Sequence, residues 1–278
     1  MNGHSVKIFE SLGIAGNPFS EEAEIAYFFP TREHTECIQR IEMALQMNSG
    51  LSLILGEVGV GKTMMTKVVE HHFGKRKGSV TIRTIPRPSH TTEYRLLQAL
   101  WKTFDIAVPC STVHEYRDAI HDFLFRRVVE EGKNILLVVD DGEELQPAGL
   151  KVLRGILEYQ FHGARFLHIV VFSRMELMER IRRAGSFDEF IVLKYTINPL
   201  SPDELKEVIF HRLKVAGNKD SRKLFDDPAL FEIWRLSKGN LSTAGTLCSR
   251  SLLSMAMRNS EIVGVETVRS VARNWRMT

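Results

Sequence analysis

The sequence predicts an α/β fold: a mainly parallel sheet with helices on both faces, followed by a small all-α unit. Three observations predict it. Short apolar runs alternate with helical stretches from about residue 32 to residue 196. One junction between an apolar run and a helix is the glycine-rich segment Gly56–Thr63. From Leu200 onward strand signals stop while helix signals continue. The boundary is therefore expected near Leu200, giving an α/β domain over 1–199, N-terminal segment included, and a helical lid over 200–278. A chain of 278 residues suits one large domain and a smaller companion.

The first thirty residues hold Asn17-Pro18-Phe19 and an aromatic cluster, Tyr27, Phe28 and Phe29. Pro30-Thr31 supplies a stop and an N-cap for a helix from Arg32 to about Asn48, whose Ile38, Ile41 and Leu45 recur at helical spacing. Leu51–Leu55 is short, apolar and partly β-branched, as a buried strand should be, and the run from Lys62 to Phe73 contains no Gly or Pro. Val80–Thr84 is a strand closed by Pro86 and Pro88. Two amphipathic helices follow. The second opens on the capping box Thr112-Val113-His114-Glu115 and presents Val113, Tyr116, Ile120, Phe123 and Val128 on one side. Ile135–Val139 is a fully apolar strand ending in Asp140-Asp141. A helix over 147–159, a strand over 166–172, a helix over 175–183 and a strand over 191–196 complete the alternation. In the second unit, Ser201-Pro202-Asp203-Glu204 gives an N-cap, a proline at the first helical position and an acidic N3 residue. Gly217 ends that helix, Asp227-Pro228 begins another, Gly239 closes it, and two more helical stretches reach the C-terminus.

Gly56–Thr63 reads Gly-x-x-x-x-Gly-Lys-Thr, and its strand–loop–helix setting is the one a phosphate loop requires. Gly56, Gly59 and Gly61 let the backbone bend so that successive N–H groups turn inward onto polyphosphate oxygens. The following helix adds its positive N-terminal end. The expected nucleotide-binding residues are Gly56, Glu57, Val58, Gly59, Val60, Gly61, Lys62 and Thr63, with Met64 after them. Lys62 can reach the β- and γ-phosphates, and the Thr63 hydroxyl can ligate Mg²⁺. A carboxylate at the tip of an apolar strand holds Mg²⁺ through water beside such a loop, which assigns Asp140 to the metal. ATP and Mg²⁺ are the expected cofactors.

The rest of the composition is less informative. A net charge of +3 is spread over 37 basic and 34 acidic residues, so it argues only weakly for a polyanionic partner. Cys37, Cys110 and Cys248 are far apart and lack metal-ligand spacing, which fits reduced structural thiols. His71-His72 has no acidic or thiol partner at ligand spacing and is expected at the surface. Lys75-Arg76-Lys77 is a short basic turn of the usually solvated kind. No apolar run approaches a membrane span and the start lacks a signal-peptide layout, so the expected location is cytoplasmic, or peripheral to an inner membrane through a partner.

Taken in order, these residues resemble AAA+ ATPases of the ExeA or general secretion pathway protein A type. The likeness runs through Asn17-Pro18-Phe19, Gly56–Thr63, Asp140-Asp141-Gly142-Glu143 at the usual Asp-Glu-x-Gln position, and Val171-Phe172-Ser173-Arg174 at the sensor-1 strand end. It continues through Asn198-Pro199-Leu200-Ser201, His211-Arg212-Leu213 and Cys248-Ser249-Arg250. The resemblance implies a strand order in which the strand ending at Phe172 lies between the phosphate-loop strand and the Asp140 strand. It also implies ATP-dependent homo-oligomerisation and a protein partner in a secretion or pilus system. Three residues take catalytic assignments from it: Asp141 at the catalytic Glu position, Glu143 as its substitute (with Glu144, or a pair of solvated loop acids, as the alternatives), and Arg174 at the sensor-1 position, to contact the γ-phosphate or to cap the strand end. The chain departs from the family at four places. Asp141 is one methylene shorter than Glu, Arg174 replaces a position that is often Gln, Phe190 stands where the trans-acting Arg is usual, and Ser242 stands at the sensor-2 Arg. Arg180, Arg182 and Arg183 are the nearby candidates to reach across a subunit interface, with a solvated basic face as the alternative. The expected activity is ATP hydrolysis at a low rate, because lost charge stabilisers slow phosphoryl transfer by orders of magnitude. Two other readings stay open: a transposition-regulator ATPase bound to DNA, and a scaffold that binds nucleotide without cleaving it.

Overall fold

The computed structural model describes residues 9–20, 24–47, 50–75, 80–185 and 187–276. The chain divides into two compact units. One comprises Arg32–Val58 and Met65–Ile197; the other comprises the residues up to Thr31, Gly59–Met64, and those from Asn198 on.

The first unit is a five-stranded parallel sheet flanked by helices. Its strands are β1 (Leu51–Leu55), β2 (Val80–Ile85), β3 (Asn134–Val139), β6 (His168–Ser173) and β7 (Ile191–Thr196), in the order β2-β3-β6-β1-β7. Every neighbouring pair is parallel. The strand ending after Phe172 therefore lies between β1 and β3, as the family resemblance implied. β1 and β6 are buried along their whole length, and β3 from Ile135 on, which is why β3 is an unbroken apolar run there and β1 and β6 are mostly apolar. The edge strand β7 alternates half-buried and exposed residues. Helices α1 (Arg32–Met47), α2 (Lys62–Gly74), α3 (Glu93–Thr103), α4 (Val113–Phe125), α5 (Pro147–Leu157) and α6 (Glu176–Ala184) accompany the sheet. The Thr112–Glu115 capping box forms as read, and α4 runs on into a π turn over Arg126–Glu130. A two-residue hairpin not foreseen from the sequence, β4 (Gln160–Phe161) with β5 (Ala164–Arg165), precedes β6. Deep in the sheet, Ser52 on β1 and His168 on β6 share a hydrogen bond of 2.9 Å. Burial pushes the His168 imidazole down to about 4, so it is neutral in the fold.

The second unit is helical: α7 (Pro202–Val215), α8 (Asp227–Ser237), α9 (Leu241–Met257) and α10 (Val265–Arg276). Ser201 and Glu204 complete the expected capping box. Gly239, at φ +76°, closes α8; a Cβ there would lie 2.1 Å from the Leu200 carbonyl oxygen. The N-terminal segment departs from the sequence reading, which joined it to the α/β domain. Phe9, Ile14 and Phe19 pack into the helical core with Leu205, Ile209 and Leu247. Asn17 fixes the segment there, its Oδ1 accepting from Phe19 N at 3.0 Å and from Ser249 Oγ at 2.8 Å. The reason is burial: three large apolar side chains on an irregular segment find a core only against α7–α9. Cys37 and Cys248 are free and buried, and burial pushes the Cys37 thiol up to about 12, which leaves it inert.

Candidate functional site

Because β1, β6 and β3 are parallel neighbours, their C-terminal ends share one edge of the sheet, where open α/β folds bind ligands. Leu55 pairs with Ser173, and Val139 with Val171, so Gly56 leaves the sheet level with Arg174 and Asp140 leaves it two residues earlier, beside Phe172. Gly56 N donates to Ser173 O at 3.1 Å, fixing the start of the glycine-rich loop to β6. Asp140 is 4% exposed. Its backbone N–H donates to Ile85 O at 3.0 Å, and its Oδ1 accepts from Asp141 N at 3.0 Å.

The next four residues turn sharply. Asp141 sits in the left-handed region at φ 50°, ψ 44°, ahead of a 3-10 turn over Gly142–Glu144. Asp tolerates that conformation better than longer side chains do, which gives a local reason for Asp at this position. Its carboxylate lies 3.4 Å from Arg87 Nε. Gly142 is required by packing: a Cβ there would lie 2.3 Å from Val171 Cγ1. The turn thus rests on β6 and delivers Glu143 to the strand end. The Glu143 carboxylate accepts from Ser173 Oγ at 3.2 Å, Arg174 N at 3.2 Å and Arg174 Nε at 2.7 Å. The hydrogen bond to Glu143 raises the Arg174 guanidinium above its ordinary value, so Arg174 is a permanent cation. Glu143 and Arg174, both read as catalytic candidates, are therefore partners of one another, a pairing that sequence reasoning missed.

Arg180 donates to the carbonyl oxygens of Glu143 and Leu145. It braces the turn of its own chain rather than standing on a wholly solvated basic face. Arg182 is exposed, as is Arg183, which pairs with Glu179 on the same helix at 3.3 Å. Phe190 is a buried core residue, its carbonyl accepting from Leu51 N at 2.7 Å.

Residues Gly59–Met64 are described with the helical unit. Gly59 takes φ +82° and Gly61 φ +104°, the left-handed region that glycine alone adopts freely. Gly59 O accepts from Ser242 N at 3.1 Å. A Cβ on Gly59 would lie 2.5 Å from Asn240 Oδ1 and 2.9 Å from Ser242 Cβ. Asn240 in turn caps α9, its side chain accepting from Thr243 N. The loop is thus seated on the first turn of α9, and Ser242 meets it through the backbone. Val60 and Lys62 are buried, whereas Glu57, Val58 and Thr63 are exposed. Among the described residues no cluster of three or more His, Cys, Asp or Glu could hold a metal by itself. Thr63 and Asp140 offer hard oxygen donors, the kind Mg²⁺ takes alongside water and phosphate. Of the basic turn, Arg76 and Lys77 lie outside the described residues. No described helix is long and apolar enough to cross a membrane.

Comparison with known proteins agrees with this architecture. Residues 45–181 match the family model of an AAA domain. Over 251 residues, 89% of the chain, the sequence is 27% identical to General secretion pathway protein A of Aeromonas hydrophila, and it spans 45% of that protein's length. Among solved structures, Cdc6p from Pyrobaculum aerophilum superposes with a TM-score of 0.67 at 17% identity, covering 92% of this chain and 70% of that one. The Aeropyrum pernix ORC1 protein in complex with DNA gives 0.65 at 18% identity, covering 92% of this chain and 68% of that one. The Thermotoga maritima RuvB Holliday junction branch migration motor gives 0.55 at 13%, covering 86% and 68%. At these identities the solved structures establish the fold alone, a parallel α/β sheet with flanking helices followed by a helical unit. The AAA resemblance drawn from the motifs is borne out.

Proposed function

We propose that this chain is an ATP-binding, slowly hydrolysing switch that assembles or regulates an envelope secretion or pilus system through a protein partner. The observation that carries the nucleotide part is the Gly56–Thr63 loop on the interior strand β1, with Gly59 and Gly61 in conformations only glycine adopts freely. In this reading the loop amides and Lys62 bind the polyphosphate, and Thr63 and Asp140 hold Mg²⁺. Mg²⁺, when bound, supplies charge neutralisation to the phosphates. Asp141 is assigned to orient the attacking water. Arg174 is assigned to sense the terminal phosphate, with Glu143 as its holder. Slow turnover is supported by the short Asp141 side chain, its pairing with Arg87, and the absence of Arg at 190 and 242.

The secretion role rests on the likeness to General secretion pathway protein A. A DNA-bound role is the second reading, favoured by a fold neighbour whose solved structure is a complex with DNA. ATP titration with Lys62→Ala tests the first step, because Lys62 is the loop cation assigned to the phosphates. Loss of tight ATP binding is expected, and near-normal affinity would remove Lys62 from that role. Turnover measured with and without duplex DNA across salt concentration decides between the readings. Stimulation by DNA that fades with salt would favour the second. Light scattering without nucleotide, with ADP and with a non-hydrolysable ATP analogue tests the switch; equal mass in all three would count against it.

A further inference from the structure

Helices α8, α9 and α10 leave a groove on the helical unit, apart from the nucleotide reading. It comprises a cavity of about 260 Å³ floored by Leu236, Leu247, Ala272 and Trp275, continuing into one of about 400 Å³. The two share Leu236 and Ala272, so the groove is continuous. An open, elongated groove of this kind, apolar at one end and charged at the other, suits a peptide segment with a side-chain anchor.

The rim is basic and organised. Glu232, 5% exposed at its side chain, accepts from Arg235 Nη2 at 2.7 Å and Arg269 Nε at 3.0 Å. Hydrogen bonding from Arg235 holds its carboxyl down at about 2, so it stays an anion. Glu232 thereby fixes two guanidiniums that remain about half exposed, at 56% and 50%. A guanidinium has five N–H donors. Arg235 spends two on Glu232, and Arg269 spends two, one on Glu232 and one on Glu266. Donors are left over on both. Arg250 lies over the Trp275 ring at 5.6 Å and Arg273 is exposed; neither has an acidic partner among the described residues. Three arginines, Arg235, Arg269 and Arg273, thus line the groove with two carboxylates, Glu232 and Glu266, and Arg250 lies against Trp275 of its floor.

We propose that this groove docks an acidic peptide segment of a partner protein, with aromatic or long aliphatic residues filling the floor and carboxylates meeting the arginine rim. Charge complementarity selects the occupant. Fixed guanidiniums with spare donors match carboxylates in a planar, bidentate way. The apolar floor rewards side-chain anchors, which a nucleic-acid backbone does not provide. Such an arrangement is how grooves read amphipathic segments, with anchors giving affinity and rim charge giving selectivity and association rate.

The test is selection of a randomised peptide-display library on the full chain without nucleotide, so that failure of the nucleotide reading leaves the result interpretable. Enriched peptides are then synthesised and titrated by fluorescence polarisation. The expected consensus places Asp or Glu beside Phe, Trp, Leu or Met. Affinity should fall at least about tenfold for Arg250→Glu/Arg273→Glu, two exposed positions at which only the Arg250–Trp275 contact is lost from the fold, so that thermal unfolding shifts by no more than about 1–4 °C, and should weaken with salt. Four outcomes would overturn the proposal: no enrichment, enriched peptides without acidic residues, binding indifferent to the double variant, or loss in that variant of single-stranded DNA binding or of self-association in place of peptide binding.

Discussion

The Glu143 carboxylate offers the most direct check on how the site is built. It is 10% exposed and accepts three hydrogen bonds, one of them from a guanidinium at 2.7 Å. Truncation in Glu143→Ala removes three hydrogen bonds to a carboxylate, of which the guanidinium bond is worth about 1.5–3 kcal/mol and the two from uncharged donors less. Arg174 is 38% exposed at its side chain and can turn to water, which discounts the first figure. A net cost of about 2–3 kcal/mol follows, or a fall of roughly 4–12 °C in melting temperature at about 2–4 °C per kcal/mol for a unit of this size. Glu143→Gln keeps an acceptor oxygen and should cost about half as much. Scanning calorimetry reads both, and a double-mutant cycle with Arg174→Ala isolates the pair. Coupling of about 1 kcal/mol or more is expected. ATP turnover supplies the readout that stability cannot. If Glu143 acts only by holding Arg174, then Glu143→Gln, Arg174→Ala and the double variant lower kcat alike. Zero coupling, or a Glu143→Gln defect far deeper than that of Arg174→Ala, would refute the positioning role and return Glu143 to the water.

Three further outcomes follow from the same geometry. Gly59→Ala places a Cβ 2.5 Å from Asn240 Oδ1 in a backbone held at φ +82°, a strain of about 1–2 kcal/mol before the clash is counted; nucleotide affinity should fall with little change at the α/β core, and unchanged affinity would count against the seating of the loop on α9. His168 carries the pH response of the sheet. Its folded value of about 4 lies below the unfolded 6.5, so its contribution is fully present above pH 6.5 and is lost as pH falls toward 4. Between pH 7 and 5 urea stability should drop by about 2 kcal/mol, and a Ser52→Ala/His168→Leu variant should lack most of that slope. Arg87→Ala removes the exposed partner of Asp141 at 3.4 Å. It should shift stability by less than about 0.5 kcal/mol yet raise kcat if Asp141 orients water, whereas Asp141→Glu should raise kcat at a cost of about 1 kcal/mol for a longer side chain at φ 50°.

How far the sequence carries depends on whether the information is local. β1, β3 and β6 are legible because a strand buried on both faces is a largely apolar run. The capping boxes at Thr112 and Ser201 are legible because both partners lie within four residues. The β4–β5 hairpin is not, since two-residue strands are too short to show alternation. Strand order is not local either: periodicity places β6 nowhere, and its position between β1 and β3 came only from the family likeness. The N-terminal segment shows the same limit, because Phe9, Ile14 and Phe19 announce burial without saying in which core. The site divides along this line as well. The loop from Gly56 to Thr63 declares its chemistry through residue types at fixed spacing. The Glu143–Arg174 pair spans 31 positions and exists because Gly142 lets a turn lie against Val171. Asn240 matters to Gly59 only because α9 starts where the loop bends. A motif can therefore name the groups that meet a ligand, but the residues that hold those groups in place are chosen by the packing of distant segments. The variants most able to separate holding from reacting are at Glu143, Arg87 and Asn240.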